Sequence, residues 1–398
     1  MIGKTPGPSD VTVAADREAP GGDPQLCTRC FYDSTIPGIT FHEGGVCSYC
    51  ALHDEMDRQY PTGPAGAKIL ERVVEEVREA GRGKQYDCVV GVSGGCDSSY
   101  LVVKLVELGL RPLAVHFDNT WNSPVATSNI YNVLEKVGVD LHTLVVDNRE
   151  YDDIYRSFML AGTRDVEAPT DLGLMTTLYR AAEQYGISYA MEGHSFRTEG
   201  VAPLSFIYFD GRYIRSVHRQ FGTVPMKTFP NMPLGDFLKW AGVKNIRRIR
   251  PLYYLDYHKE EAKELLSREY GWEWYGGHHL ENRFTAFYHS YFLPRRFGVD
   301  GRKLGYSGLV RSGQMTREEG LRLLAEPIEC DPGILALVKK RLRFSDDEFE
   351  AVMNLPRKSY RDYPTYKQTF ERLKPLFWLL YKLDRVPKSF YVKFAGGR

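Results

Sequence analysis

Ser93-Gly94-Gly95-Cys96-Asp97-Ser98-Ser99 concentrates the residue types that bind a phosphate chain. Paired glycines let a backbone bring its N–H groups close to an anion, where a side chain would stand in the way. Ser93, Ser98 and Ser99 add hydroxyl donors, and a helix starting here contributes its positive end. Asp97 is the acidic member, placed to hold Mg2+, which takes one or two carboxylates together with phosphate oxygens. The stretch lacks the Gly-Lys-Ser/Thr ending of a Walker loop, so it has no lysine of its own for the outer phosphates. Cys96 sits at the variable position and reads as filler rather than nucleophile.

A second chemical centre is Cys27-x-x-Cys30 and Cys47-x-x-Cys50, with sixteen residues between the pairs. Two such knuckles supply four thiolates, which suits a closed tetrahedral Zn2+ site of structural type. Seven cysteines in 398 residues do not make a disulfide scaffold, and the paired spacing points to a reducing compartment. Cys88 reads as a small core residue, and Cys330 has no partner visible in the sequence.

The elements that must position these groups alternate strand and helix. Ile69, Leu70, Val73, Val74 and Val77 recur at helical spacing; Asp87–Val92 is then a short buried-type strand running into the glycine turn. A helix follows through Leu101–Leu108, then a strand at Pro112–Phe117, a helix at Val125–Val137 and a strand at Leu141–Val146. Helices near Tyr151–Leu160 and Leu172–Tyr185 precede a strand at Ile187–Met191. Repeated β-α-β units with short apolar strands predict an α/β fold with a doubly wound parallel sheet. Asp118 and Gly193 stand at the ends of strands, where such sheets place ligands; each reads either as pocket lining or as an ordinary loop residue. Beyond about Pro251 helical patterns dominate, and Thr316-Arg-Glu-Glu319 reads as a capping box. The expected organisation is a disordered leader at 1–26, a zinc ribbon at 27–60, the sheet domain at 61–250 and a mostly helical region at 251–398.

Lys and Arg number 52 against 51 Asp and Glu, so the near-neutral chain is no globally basic nucleic-acid binder, although a local patch stays open. No apolar run approaches the roughly 18 residues that span a bilayer, and the start has no signal-peptide core, so a cytoplasmic location is expected. Arg283, Arg295, Arg296, Arg302, Lys303 and Arg311 face only Asp300 across a short stretch. This run reads either as contacts to phosphates or an acidic sugar, or as a solvated basic surface. His278, His279 and Glu281 are candidates for acid–base work or for plain structural hydrogen bonding. The Trp272–Trp274–Tyr275 and Phe377–Trp378 clusters fit a core or interface better than a sugar platform.

The Ser-Gly-Gly-x-Asp-Ser-Ser pattern resembles that of the PP-loop ATP pyrophosphatases. Together with the ribbon, the chain resembles the N-acetyl sugar amidotransferase family, the amidine-forming branch of that superfamily in surface-polysaccharide and nonulosonate biosynthesis. Further stretches carry the likeness: Arg111–Asn119, Pro169-Thr-Asp171, Tyr275–Phe284, Leu293–Gly298, Ser312–Glu319, Lys374–Leu380 and Pro387–Tyr391. The resemblance implies ATP as co-substrate, with Ser93, Gly94, Gly95, Asp97, Ser98, Ser99, Asp118 and Gly193 around it and Ser93, Asp97 and Ser98 in catalysis. It implies adenylation of an N-acetyl oxygen on a sugar and displacement of AMP by ammonia, supplied by a separate glutaminase subunit. His278, His279, Glu281, Arg283, Arg295 and Arg296 are then the substrate-side candidates. His194 and Phe196 depart from the expected Thr/Asn-containing stretch, which leaves the acceptor open. A PP-loop sulfurtransferase on tRNA or a small molecule, or an ATP- and zinc-binding sensor without turnover, are the competing functions.

Overall fold

The computed structural model describes residues 24–203, 206–277, 280–383, 385–386 and 390–395. The leader up to residue 23 lies outside the described residues, as do His278 and His279. Five strands, β1 (Cys88–Gly91), β2 (Pro112–Asp118), β3 (Leu141–Val145), β4 (Tyr189–Met191) and β5 (Arg247–Ile249), form one sheet in the order β3-β2-β1-β4-β5. Every neighbouring pair is parallel. This is the doubly wound arrangement that the alternating pattern predicts, and its strand order reverses between β1 and β4.

Side chains of a strand alternate between faces, and on the inner strands β1, β2 and β4 both faces are dry. Val89, Leu113, Val115, Phe117 and Ala190 enter one core. Cys88, Val90, Ala114, Tyr189 and Met191 enter the other. The second core is closed by helices α2 (Gly63–Ala80), α3 (Cys96–Glu107), α4 (Pro124–Val137) and α9 (Lys259–Tyr270), through Leu70, Leu101, Ile130 and Leu266 among others. The first is closed by α5 (Asn148–Leu160), α6 (Ala168–Gln184), α7 (Gly211–Phe221) and C-terminal helices from α10 (Arg283–Phe287) onward. Both cores thus contain residues from before and after position 250.

Two elements run against the expected pattern. The edge strand β5 reads Arg-Arg-Ile, so it offers no apolar run; its place is fixed by pairing with β4 and by charge. Arg248 and Arg250 both bind Glu192 at the end of β4, Arg250 at 2.9 Å. Burial alone would raise the Glu192 carboxyl, but the two guanidiniums outweigh it and hold it at about 2. Helix α1 (Ser48–Gln59) grows directly out of the second cysteine knuckle. In the C-terminal region, Thr316 caps α12 (Arg317–Ala325) by accepting the Glu319 N–H, which is one half of the capping box that the spacing predicts.

Candidate functional site

The chain leaves β1 at Gly91 and enters α3 at Cys96, so Ser93–Gly95 cross the C-terminal edge of the sheet where the strand order reverses. Open α/β sheets bind their ligands in the crevice at that place. Gly94 has φ +80°, and a Cβ there would lie 2.1 Å from the Ala126 carbonyl oxygen, so only glycine fits. The Gly94 carbonyl accepts the Trp272 indole N–H at 3.0 Å and the Asn129 amide at 3.3 Å. Ser98 Oγ accepts the Ser93 N–H at 3.3 Å and stands 3.4 Å from Ser93 Oγ, so the two hydroxyls share one small region at the helix start. Gly193 packs beneath: a Cβ on it would come 3.1 Å from Ser98 Cα.

Asp97 is not a free carboxylate awaiting a cation. Its Oδ1 accepts the Tyr257 hydroxyl at 2.7 Å and the Thr198 hydroxyl at 3.4 Å, while Lys259 Nζ donates to Oδ2 at 2.9 Å. Lys259 is buried, and burial by itself would lower its pKa, yet the carboxylates of Asp97 and Glu199 more than reverse this. The Tyr257 hydroxyl is pushed well up by burial and by Asp97, so it remains a donor. A carboxylate has about four lone-pair sites, so Asp97 retains acceptor capacity toward a divalent ion as well. The lysine that the loop itself lacks is therefore delivered from α9. Nothing in the spacing of His258-Lys259-Glu260 signals this, because the pairing exists only in three dimensions.

Other segments fix the rim. His116 Nδ1 bonds the Val92 carbonyl at 2.9 Å, one residue before Ser93, and its Nε2 meets the Asn122 amide at 3.0 Å. Burial lowers the His116 pKa, which suits a neutral ring donating on one side and accepting on the other. Asp118 accepts the Thr120 N–H at 2.8 Å and so braces the turn beside the loop, where Thr120 has φ +65°. Asn282 spans from Asn119 (3.0 Å) to the N–H groups that open α10. Residues 121–123 run along 281–283 through Arg283 N–H to Trp121 O at 2.9 Å and Ser123 N–H to Glu281 O at 2.8 Å. This pairing carries Glu281 over the loop: a Cβ on Gly95 would lie 3.3 Å from the Tyr275 hydroxyl and 3.4 Å from Glu281 Oε1.

The substrate-side candidates therefore separate. Glu281 lies at the loop, and Arg283 follows it, half-buried. Arg295 and Arg296 need correction: their charges are spent on packing. Exposed Arg295 pairs with Glu350 at 2.8 Å, and buried Arg296 binds the carbonyls of Val352 (2.9 Å), Met353 (2.8 Å) and Gly162 (3.2 Å). Arg302 clasps Asp300 and the last carbonyls of α12, and Lys303 binds Asp33 at 2.7 Å. Most of the basic run is thus internal stitching. Phe196, fully buried, packs edge-on against Tyr253 and His53 rather than opening a pocket. Cys96, also buried, has its thiol pushed up to about 12, first by burial and then by Asp97, in keeping with an inert filler.

The four knuckle cysteines are wholly buried and converge. Sγ–Sγ separations are 3.8 Å for Cys27–Cys50 and 3.7 Å for Cys30–Cys47 and Cys47–Cys50, with all four sulfurs within 4.8 Å. A tetrahedron with metal–sulfur bonds of about 2.3 Å has edges of about 3.8 Å, so the donor set fits one four-coordinate ion. Backbone N–H groups of Arg29 and Cys47 point at Cys27 Sγ, at 3.4 and 3.2 Å. Arg311, at the end of α11 (Arg302–Arg311), inserts its guanidinium 3.1 Å from Cys30 Sγ and 3.3 Å from Cys50 Sγ, over the Tyr32 ring. It offsets part of the negative charge that four thiolates leave around a divalent ion.

Residues 281–376 match the model of the family described as LPS biosynthesis protein WbpG-like, C-terminal domain. No curated protein matches the chain. Among solved structures, NMN synthetase from Francisella tularensis aligns at 12% identity over 74% of this chain and 98% of its own, with a TM-score of 0.32. The NH3-dependent NAD synthetase from Campylobacter jejuni aligns at 15% identity over 74% and 98%, with a TM-score of 0.29. The U34-tRNA thiolase NcsA from Methanococcus maripaludis, which carries a [4Fe-4S] cluster, aligns at 14% identity over 77% and 91%, with a TM-score of 0.30. No helix among the described residues is long and apolar enough to cross a membrane.

Proposed function

We propose that the chain is an ATP-dependent amidotransferase that converts the N-acetyl group of a sugar or sugar-like acceptor into an acetamidino group. The observation that carries this reading is the Ser93–Ser99 loop, set at the strand-order reversal with Asp97 backed by Lys259. An amide carbonyl is a poor electrophile, so its oxygen must first become a leaving group. The acceptor oxygen attacks the α-phosphorus of ATP, the bond to the β-phosphate oxygen breaks, and pyrophosphate departs into the loop. Ammonia then adds to the activated carbon, the carbon–oxygen bond breaks, AMP leaves, and the nitrogen loses a proton to give the amidine.

The chain's own groups serve these steps by position and charge. The Ser93 and Ser98 hydroxyls and the α3 N-terminus face the leaving pyrophosphate, and Lys259 adds a fixed positive charge. Mg2+, held by Asp97 and phosphate oxygens, would supply further charge neutralisation. Glu281, beside Gly95, is the nearest candidate to take the proton from ammonia. The four-cysteine site would hold zinc with a structural role, since a [4Fe-4S] cluster, seating each thiolate on its own iron, asks for wider spacing. The match of residues 281–376 to a lipopolysaccharide-biosynthesis family supports a sugar acceptor. A separate glutaminase would bring the ammonia. The sulfurtransferase alternative loses ground because the cysteine inside the loop, Cys96, is buried with its thiol kept protonated.

The test is incubation with ATP, ammonium and a panel of N-acetylated sugars and sugar nucleotides. Expected products are AMP, pyrophosphate and an acceptor lighter by about one mass unit, the exchange of O for NH. Formation of ADP and phosphate, or an acceptor gaining sulfur, would overturn the proposal.

A further inference from the structure

Helix α9 starts at Lys259 without a cap from its own flank, since the His258 side chain makes no capping hydrogen bond. Helix starts leave N–H groups that must find partners elsewhere. Gln314 supplies one: its Oε1 accepts the Lys259 N–H at 3.2 Å, and its Nε2 donates to the Tyr257 carbonyl at 3.0 Å. An N–H at one end and a C=O at the other leave one orientation of the amide that satisfies both. These are backbone groups of the two residues whose side chains hold Asp97.

Gln314 is fixed from its other side as well. Its own N–H donates to Leu309 O at 2.8 Å, Gly313 turns the chain with φ +75°, and Ser312 Oγ donates to Arg197 O at 2.9 Å. Three residues before it, Arg311 lies buried against the cysteine sulfurs. One short stretch, 311–314, thus touches the four-cysteine site at one end and the support of the nucleotide loop at the other.

We propose that Gln314 is a positioning residue for nucleotide binding: it holds the Tyr257–Lys259 backbone so that both side chains meet Asp97, and Arg311 against the thiolates anchors it. The inference rests on the ATP reading of the loop. Gln314→Met keeps the length and volume of the side chain and removes both hydrogen bonds; Gln314→Glu keeps the acceptor for Lys259 N–H and loses the donor. ATP affinity can be followed by tryptophan fluorescence, because the Trp272 indole is bonded to Gly94. Gln314→Met should bind ATP about tenfold more weakly, with metal per chain and melting temperature at wild-type values, and Gln314→Glu should fall between. Wild-type affinity in Gln314→Met would overturn the inference, and so would weakened binding that comes with equal loss of metal and thermal stability. A wild-type chain that binds ATP without forming AMP sinks only the reaction proposed above; one that binds no ATP sinks both.

Discussion

The Ser93–Ser99 loop and the four-cysteine site both gather negative charge inside the fold, and they do so by opposite means. At the loop the backbone sets the shape, since Gly94 takes a conformation that only glycine fits, and one carboxylate, Asp97, is balanced by one lysine from elsewhere. At the cysteine site the side chains do it, four thiolates around one point with a single arginine alongside. On the ATP reading, the first serves a ligand that comes and goes. The second is closed on every side and suits an ion that stays. In each, the cation comes from far along the chain, Lys259 in one and Arg311 in the other. Substitutions should therefore divide, with the thiol-bound metal retained after changes at the loop and lost after changes at the ribbon.

The sharpest way to break that division is Asp97→Ala. It should lower AMP formation about a thousandfold while leaving bound metal unchanged, measured by product chromatography and metal analysis on the same sample. Loss of metal in this variant would show that the two sites are not separable. Cys27→Ser is the reciprocal change: it should lose the ion and about 3 kcal/mol of unfolding free energy in denaturant titration. Gly94→Ala is next, because its Cβ meets the Ala126 carbonyl and its φ is positive; about 2 kcal/mol should be lost, with ATP binding impaired and metal retained.

The smallest expected effect concerns His53 on α1, which is buried against Phe196 with its pKa lowered to about 4 by burial. A group depressed below its ordinary 6.5 stabilises the fold above that value, and the contribution fades as pH falls toward 4. Between pH 7 and 5 the wild type should lose about 1–2 kcal/mol more than His53→Leu, read as the difference between two denaturation curves. Equal losses in both proteins would mean that the thiolates, not His53, set the acid limb.

The motifs themselves were legible because their chemistry is local. Ser93–Ser99 and the two cysteine pairs act through neighbours in sequence, and four of the five strands announce themselves as apolar runs. What stayed hidden is everything made by long-range pairing. Lys259 reads as an ordinary first-turn residue until α9 is laid against α3. Arg248 on β5 and Arg250 just past it give no apolar signal, and their place is set by Glu192 at the end of β4. Arg295 and Arg296 read equally as contacts to phosphates or an acidic sugar and as solvated surface, because charge spacing does not tell which carbonyls a guanidinium will reach. Arg311 belongs to the same run and turned out to face sulfur.

The wide sequence separations in the site carry a consequence for synthesis. Asp97 and Lys259 are 162 residues apart, and Cys30 and Arg311 are 281 apart. High contact order of this kind delays the pairing that completes a site. As the chain leaves the ribosome from its N-terminus, the thiols and the loop emerge long before the residues that neutralise them. On the ATP reading of the loop, nucleotide binding is among the last properties the nascent chain acquires, and ribosome-bound chains that end before α9 should show none.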